Sequence, residues 1–223
     1  MLDRRTFVAS LPVLAGAATV AAGAQPSGVM ASYDDVVRLA RKPARHKQSF
    51  SSTRPNGYVW YYVRNSLNGY EFGWGQGAGA LHPVPVFNGL GTIQGLDDGA
   101  WSRYRFSDVL AHAGLPLPQP SPSRNPRLHA PPGLPSAATG PNAFTMDQSI
   151  ESLRSRGMDV IVCNTALQTV AMTVVAAGVA SDADAVHADL QHRLVPGAIL
   201  VPSGVSALDT LHENGFSVFD SNL

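Results

Sequence analysis

Short apolar runs separated by longer amphipathic stretches are the main pattern of this chain. Because they are short and rich in β-branched or aromatic residues, five of them predict strands. These runs are Tyr58–Arg64, Val84–Phe87, Met158–Val162, Ala198–Val201 and Phe216–Phe219. Pro83 and Pro85 lack the amide hydrogen that a sheet ladder requires, so we expect the second strand to lie at an edge.

The stretches around these runs predict helices, several of them ended by Gly157, Gly178 or Asn214-Gly215. The predicted helices cover 33–41, a loose segment from Ser66, pieces of 97–113, and then 147–156, 164–177, 183–193 and 205–213. Short apolar strands that alternate with helices are typical of a parallel sheet covered on both faces. We therefore predict an α/β fold, a three-layer sandwich with a mainly parallel sheet of about five strands.

The same pattern suggests how the chain is organised. Residues 25–57 are predicted to be a polar N-terminal extension, irregular except for the helix at 33–41, and residues 58–223 to be the α/β domain. Residues 114–143 contain nine prolines, which exclude regular helix and sheet. We interpret this stretch as a Pro-rich insertion into the domain rather than a linker, because neither side has enough strands for its own sheet.

Composition excludes several kinds of partner and cofactor. The chain has 223 residues, and its 16 Lys and Arg balance its 16 Asp and Glu without a dense basic cluster, so we predict no nucleic-acid partner. None of the seven histidines has the spacing of a helical zinc site. The lone cysteine excludes CxxC and haem-attachment motifs, so neither a metal nor a cofactor is predicted.

The first 24 residues are predicted to be an export signal. Arg4-Arg5 precedes the weakly apolar stretch 9–20, and Ala22-Gly23-Ala24 has the small residues that a signal peptidase requires. This arrangement resembles a twin-arginine signal, which implies a periplasmic or otherwise exported protein that meets the twin-arginine translocase. An uncleaved membrane anchor is the alternative.

Cys163 is the residue with the most chemical interest. It follows a predicted strand and precedes a predicted helix, where backbone N–H groups and the helix dipole stabilise a thiolate. With no second cysteine, it has no partner for a disulfide within the chain. It is a small buried apolar residue, a partner in an intermolecular bond, or a reactive thiol.

Four pieces of sequence together resemble an exported branch of the DsrE/DsrF-like proteins. They are Asn65-Ser-Leu-Asn-Gly-Tyr70, Trp101-Ser-Arg-Tyr104, Ile161-Val-Cys163-Asn-Thr-Ala166, and the run from Leu194 through Pro202-Ser203-Gly204 to Leu211-His-Glu-Asn-Gly-Phe216. The resemblance covers roughly residues 58–219. It implies a compact α/β sandwich, homo-oligomers and a cysteine that carries sulfane sulfur as a persulfide.

The resemblance assigns that role to Cys163. Its neighbours Asn164 and Thr165, together with Ser203 and Gly204 beyond the next strand, are predicted to bind the ligand, as is Asn65. The ligand expected here is sulfane sulfur or a small thiol-reactive molecule. We expect a sulfur carrier or transferase rather than a classical enzyme, because the chain has no hydrolase or redox motif.

A noncatalytic interaction protein is the alternative function. In that case the α/β fold is an oligomeric scaffold, and the Pro-rich segment binds a partner. Exposed members of an aromatic set would contribute to the interface. This set is Tyr58, Trp60, Tyr61, Tyr62, Trp74 and Trp101.

Overall fold

Five parallel strands form one sheet in the order β4-β3-β2-β1-β5. The computed structural model describes residues 28–55, 58–117, 122–130 and 148–222. The strands are β1 (His46–Ser52), β2 (Leu81–Phe87), β3 (Ile161–Cys163), β4 (Ile199–Val201) and β5 (Ser217–Asp220). The predicted α/β fold with a parallel sheet is therefore confirmed.

Eight α-helices in the described part of the chain surround this sheet. They are α1 (Tyr33–Ala40), α2 (Val59–Asn68), α3 (Asp98–Arg103), α4 (Phe106–His112), α5 (Ile150–Ser155), α6 (Asn164–Ala176), α7 (Ala183–Gln191) and α8 (Gly204–Glu213). A π-helical turn, Gly69–Gly73, continues α2, and a 3₁₀ segment, Gly89–Gly95, follows β2. Most predicted helices are confirmed within a few residues of their ends.

The two faces of the sheet bury separate apolar clusters. One cluster joins β2 and β3 to α1 and α8 through residues such as Val86, Ile161 and Leu211. The other joins the opposite face to α2 through α7, with Phe87 and Val162 among its members. Because side chains alternate between the faces of a strand, neighbours such as Val86 and Phe87 lie in different clusters. The arrangement is a three-layer sandwich.

The sequence interpretation missed β1, because residues 25–57 were expected to be irregular apart from one helix. This prediction is wrong: β1 lies between β2 and β5 and pairs with both. Two of its polar side chains donate hydrogen bonds to backbone carbonyls. Lys47 Nζ donates to Ala40 O at 2.7 Å, and Ser49 Oγ donates to Ser217 O at 3.4 Å. A polar strand of this kind has no apolar alternation to reveal it.

The strand predicted at 58–64 is wrong, because this run begins α2. A helix places Val59, Trp60, Val63 and Leu67 on one buried face, because their spacing is that of a helix face. Aromatic and β-branched residues raise β-propensity only modestly. Tertiary burial of this face therefore decides the conformation.

The position expected for β2 is also corrected, since it is the central strand rather than an edge strand. Pro83 O accepts a hydrogen bond from Asp159 N at 3.2 Å, so the missing amides of Pro83 and Pro85 face the β3 side. The ladder to β3 pairs only Val86 and Phe87. The prolines therefore precede the ladder and remove no hydrogen bond from it.

The structure describes residues 114–117 and 122–130 of the Pro-rich insertion. The rest of the insertion lies outside the described residues. Residues 122–130 contain neither helix nor strand, but they are anchored to the body. Buried Asn125 donates from Nδ2 to Leu96 O at 2.6 Å and to Gln94 O at 2.9 Å. His129 lies 2.9 Å from Asp98 and 2.8 Å from Glu151. This stretch is hereafter called the strap.

The N-terminal export prediction lies outside the described residues. Within the part of the chain that the structure describes, no helix has both the length and the apolar character needed to cross a membrane.

Candidate functional site at the carboxyl edge of β3 and β4

The connections that leave β3 and β4 turn to opposite faces of the sheet. Helix α6 follows β3 and packs in the cluster with α2 through α7, whereas α8 follows β4 and packs in the cluster with α1. The two strands are neighbours, with Cys163 paired to Val201. A crevice at such a switch point is where open parallel sheets bind ligands. This edge is therefore the candidate site.

The carboxyl ends of β1 and β2, by contrast, are covered by the 3₁₀ segment. Gly91 N donates to Thr53 O at 2.8 Å. A Cβ on Gly91 would lie 2.6 Å from Ser52 O, so only glycine allows this approach. The segment therefore covers that part of the edge.

Cys163 ends β3 and caps the N-terminus of α6. Its Sγ accepts a hydrogen bond from Ala166 N at 3.4 Å, in the place where a serine or aspartate oxygen usually acts. The side chain is 5% exposed. The thiol is thus buried, but it lies in the field of a helix of 13 residues rather than in purely apolar surroundings.

Asn164 is held in place by α7. His187 Nε2 donates to Asn164 Oδ1 at 2.9 Å, and Gln191 Nε2 donates to the same oxygen at 2.8 Å. No local sequence motif links His187 to residue 164. These two bonds fix the first turn of α6 beside Cys163.

Thr165 and Ser203 connect the two strand ends. Thr165 Oγ1 donates to Pro202 O at 3.0 Å, which ties the start of α6 to the end of β4. Ser203 caps α8 by accepting from Ser206 N at 3.4 Å. Two capped helix N-termini, those of α6 and α8, therefore lie at the ends of the neighbouring strands β3 and β4, and both favour a nearby negative charge.

Asn88 is a further site residue that the sequence interpretation did not identify. It follows β2, and the register that pairs Val86 with Ile161 and Phe87 with Val162 places it next to Cys163. Its carboxamide lies against Gly204, where a Cβ would be 2.8 Å from Asn88 Cγ. The sequence signal that could have identified Asn88 is its position as a polar residue directly after an apolar strand.

Asn65 is placed elsewhere by the structure. It is an exposed residue within α2, and its Oδ1 accepts from Arg64 Nη2 at 2.9 Å. The turn that follows brings Tyr70 onto His46 at the start of β1, with ring centroids 4.1 Å apart. Of the predicted ligand-binding residues, Asn164, Thr165, Ser203 and Gly204 lie at the same edge of the sheet as Cys163. Asn65 does not; it precedes the turn that leads to the opposite edge.

His82 and Asp159 form a separate buried pair at the amino edge. His82 Nε2 donates to Asp159 Oδ2 at 2.8 Å, and Lys42 Nζ donates to the same oxygen. Burial alone would raise the pKa of Asp159, but the bonds from His82 and Lys42 outweigh it, and the pKa is lowered. His82 is the second residue of β2 whereas Cys163 ends β3, so the two lie at opposite edges of the sheet and do not form a nucleophile–base pair.

The described residues include no group of three or more His, Cys, Asp and Glu side chains that could hold a metal ion. The donors at the β3–β4 edge are a thiol, two carboxamides and two hydroxyls. These groups suit a small polar or anionic ligand. The nucleophiles among them are the thiol and the two hydroxyls.

Comparison of the chain with known protein families, curated proteins and solved structures finds no match in any of the three. A function for the β3–β4 edge is accordingly inferred from its residues and their geometry.

Proposed function

We propose that the protein carries sulfane sulfur as a persulfide on Cys163, as an exported relative of the DsrE/DsrF-like proteins. The observation that supports this most directly is the bond from Ala166 N to Cys163 Sγ at the β3–β4 switch point. An amide donor and a helix dipole favour the anionic form of a sulfur atom. They act on a persulfide anion as they do on a thiolate.

The reaction requires a donor that already contains an S–S bond. The Cys163 thiolate attacks one sulfur of a polysulfide, a new S–S bond forms at Sγ, and the adjacent S–S bond of the polysulfide breaks. The shortened polysulfide leaves with the electron pair of the broken bond. The products are a Cys163 persulfide anion and a polysulfide with one sulfur atom fewer, so charge and atoms balance and no separate oxidant is required.

The surroundings of Cys163 restrict the donor to a small molecule. The thiol is 5% exposed, so an inorganic polysulfide or a small persulfide suits it better than a folded protein donor. Asn88 follows β2 and Ser203 follows β4, the strands on either side of β3, and we expect their polar side chains to contact a bound anion. Transfer to a protein acceptor then requires movement of the first turn of α6.

Mass spectrometry of the intact protein tests this proposal. After incubation with polysulfide, we expect the mass of one sulfur atom on the peptide that contains Cys163, removable by dithiothreitol. Cys163→Ser is the matched control, because its hydroxyl keeps the cap of α6 but forms no persulfide. If wild type gains no sulfur while its thiol stays closed to iodoacetamide in the folded state, the proposal is wrong.

Export is a separate part of the proposal. Its support is Arg4-Arg5 ahead of the weakly apolar stretch 9–20. Changing both arginines to lysine preserves the charge, and we expect it to retain the protein in the cytoplasm of a host that has the twin-arginine translocase. Cell fractionation measures this, and unchanged export of the double variant would contradict the twin-arginine route.

A further inference from the structure

His82, at the amino edge of the sheet, has a buried ring nitrogen without a hydrogen-bond partner. The residue is 4% exposed, and its Nδ1 forms no hydrogen bond within the part of the chain that the structure describes. The other ring nitrogen, Nε2, bonds to Asp159. A buried polar atom that lacks a partner lowers the stability of the fold, so its presence indicates a role outside the packing of the core.

Lys47 is the residue of β1 that pairs with His82 of β2, so the two side chains lie on the same face of the sheet. Its Nζ donates to Ala40 O at 2.7 Å. Among the described residues it forms no ion pair, since the nearby carboxylate of Asp159 binds Lys42 and His82 instead. The ammonium of Lys47 therefore has an acceptor but no counter-ion.

The two groups lie against the same ring, that of Phe216. The ring centroids of His82 and Phe216 are 5.4 Å apart, and Lys47 Nζ is 5.7 Å from the Phe216 centroid. Asp159 N donates to Pro83 O, which places Asp159 on the β3 side of β2. The nitrogens of an imidazole direct their bonds to nearly opposite sides of the ring, so Nδ1 is directed away from β3, toward the β1 side where Lys47 lies.

We propose that a small carboxylate binds between Lys47 Nζ and His82 Nδ1. One oxygen accepts from the ammonium, and the other accepts from the imidazole, which takes up a proton on Nδ1 as the ligand binds. The ring of Phe216 packs against the carbon atoms of the ligand. Because Nδ1 is covered in the structure, the ligand enters when the Lys47 side chain moves, and a small molecule is favoured over a large one.

The charges that face the imidazole favour a negatively charged ligand. Lys42 after α1 and Lys47 on β1 are positive, whereas Asp159 before β3 is negative. From α8, His212 Nδ1 bonds to Phe216 O at 3.2 Å. A carboxylate suits the site better than chloride, because its two oxygens match two separate donors, and better than phosphate, because burying a dianion costs more.

NMR of the histidine ring nitrogens in the full chain tests the proposal, because the Nδ1 resonance changes when that atom is protonated. Acetate, phosphate and chloride are each added to about 100 mM at equal ionic strength. We expect acetate to move the His82 Nδ1 resonance toward its protonated position in a saturable manner. Since binding takes up one proton, the affinity for acetate should rise by up to about tenfold per unit as the pH falls from about 8 to about 6.

Lys47→Gln is the variant that tests the ammonium. Glutamine keeps a donor for Ala40 O but carries no charge, so we expect the affinity for acetate to fall at least about tenfold. Arg41→Gln is the matched control, because it removes an exposed positive charge at the end of α1, and it should bind acetate like wild type. The pH dependence of wild type needs no variant, so it tests the proposal even if Lys47→Gln does not fold.

The outcome does not depend on the sulfur chemistry proposed for Cys163, which ends β3 at the opposite edge of the sheet. A His82 Nδ1 resonance that acetate does not move, or an acetate affinity that is the same at every pH, would overturn the proposal. Equal binding of chloride or phosphate would overturn the choice of a carboxylate. Unchanged affinity in a folded Lys47→Gln protein would also overturn the proposal.

Discussion

The carboxamide of Asn88 occupies the space in which a side chain at Gly204 would lie, so the end of β2 is packed directly on the first residue of α8. Gly204 is itself buried. The contact joins two parts of the candidate site that are more than a hundred residues apart in the chain. The geometry of the site can therefore be tested by measuring the free energy of unfolding of variants at this contact.

Gly204→Ala is expected to destabilise the protein by about 1–3 kcal/mol, because the new Cβ overlaps the Asn88 side chain. In an unobstructed helical position the same change stabilises by about 0.5–1 kcal/mol, so the sign of the effect is diagnostic. Urea denaturation measures it.

Gly69→Ala is the matched control for this substitution. Gly69 has helical dihedral angles, and nothing lies within 4 Å of its added Cβ. We expect no loss of stability there. A stabilised Gly204→Ala protein, or one not restored by adding Asn88→Ala, would contradict the described contact.

The cap provided by Cys163 is expected to contribute to stability apart from any chemistry. Cys163→Ser keeps an acceptor for Ala166 N, whereas Cys163→Ala removes it. We expect the alanine variant to be less stable than the serine variant by about 0.5–2 kcal/mol. Thermal and urea unfolding of the pair measure this difference, and equal stabilities would mean that the sulfur does not act as a cap.

The strap is expected to loosen as the pH rises. Both ring nitrogens of His129 contact carboxylates, so the ring must donate twice and carry a positive charge. Hydrogen bonds to Asp98 and then to Glu151 raise the pKa of His129. A raised pKa stabilises the folded state fully below the ordinary histidine pKa, and this contribution is lost as the pH rises through the folded value.

Because His129 is substantially exposed, solvent screening limits the effect to less than about 1 kcal/mol. The measurement is the free energy of unfolding from weakly acidic to weakly alkaline pH. His129→Gln should lack the decrease on the alkaline side, with His212→Gln as a control for histidine loss. The same slope in wild type and His129→Gln would show that the His129 contacts do not stabilise the fold.

Asp159 is expected to govern stability on the acid side. Its lowered pKa means that its contribution is present above the unfolded pKa and is lost as the pH falls through the folded value. Asp159→Asn removes the carboxylate that accepts from buried His82 and from partly exposed Lys42, so we expect a loss of about 1–3 kcal/mol near neutral pH.

Asp209→Asn provides the comparison for a carboxylate lost from an exposed position of α8. It should be nearly neutral. The Asp159→Asn protein should in addition show a flatter decline of stability with acid. A wild-type acid profile in that variant would remove Asp159 from its proposed role at the amino edge.

Local sequence was sufficient to predict the elements that carry their own signals. The apolar run Met158–Val162 predicts a strand that overlaps β3 at Ile161 and Val162, and the helix predicted at 164–177 matches α6 within one residue, since buried strands between helices must be continuously apolar. Gly157 and Gly178, both with positive φ, mark chain reversals that only glycine makes at little cost. From these features alone, the parallel α/β class and the placement of Cys163 at a strand end could be predicted.

Elements that depend on distant partners could not be predicted in this way. Strand β1 is polar and has no periodic pattern, and it exists because β2 and β5 pair with it from both sides. Helix α2 has residues that favour a strand, yet its buried face packs as a helix against the sheet. The prolines of β2 suggested an edge strand. They are acceptable in the central strand only because the hydrogen-bonded ladder between β2 and β3 begins after both prolines.

For the site, sequence by itself determined the chemical groups: one thiol, followed by Asn164 and Thr165, and Ser203-Gly204 beyond the next strand. Tertiary structure alone decided their assembly, because the crossing of α8 to the opposite face creates the switch point between β3 and β4. It also brought in Asn88 and His187, which no local spacing relates to Cys163. Strand order and helix side are properties of long-range packing, and a single sequence records them only through contacts that the fold itself creates.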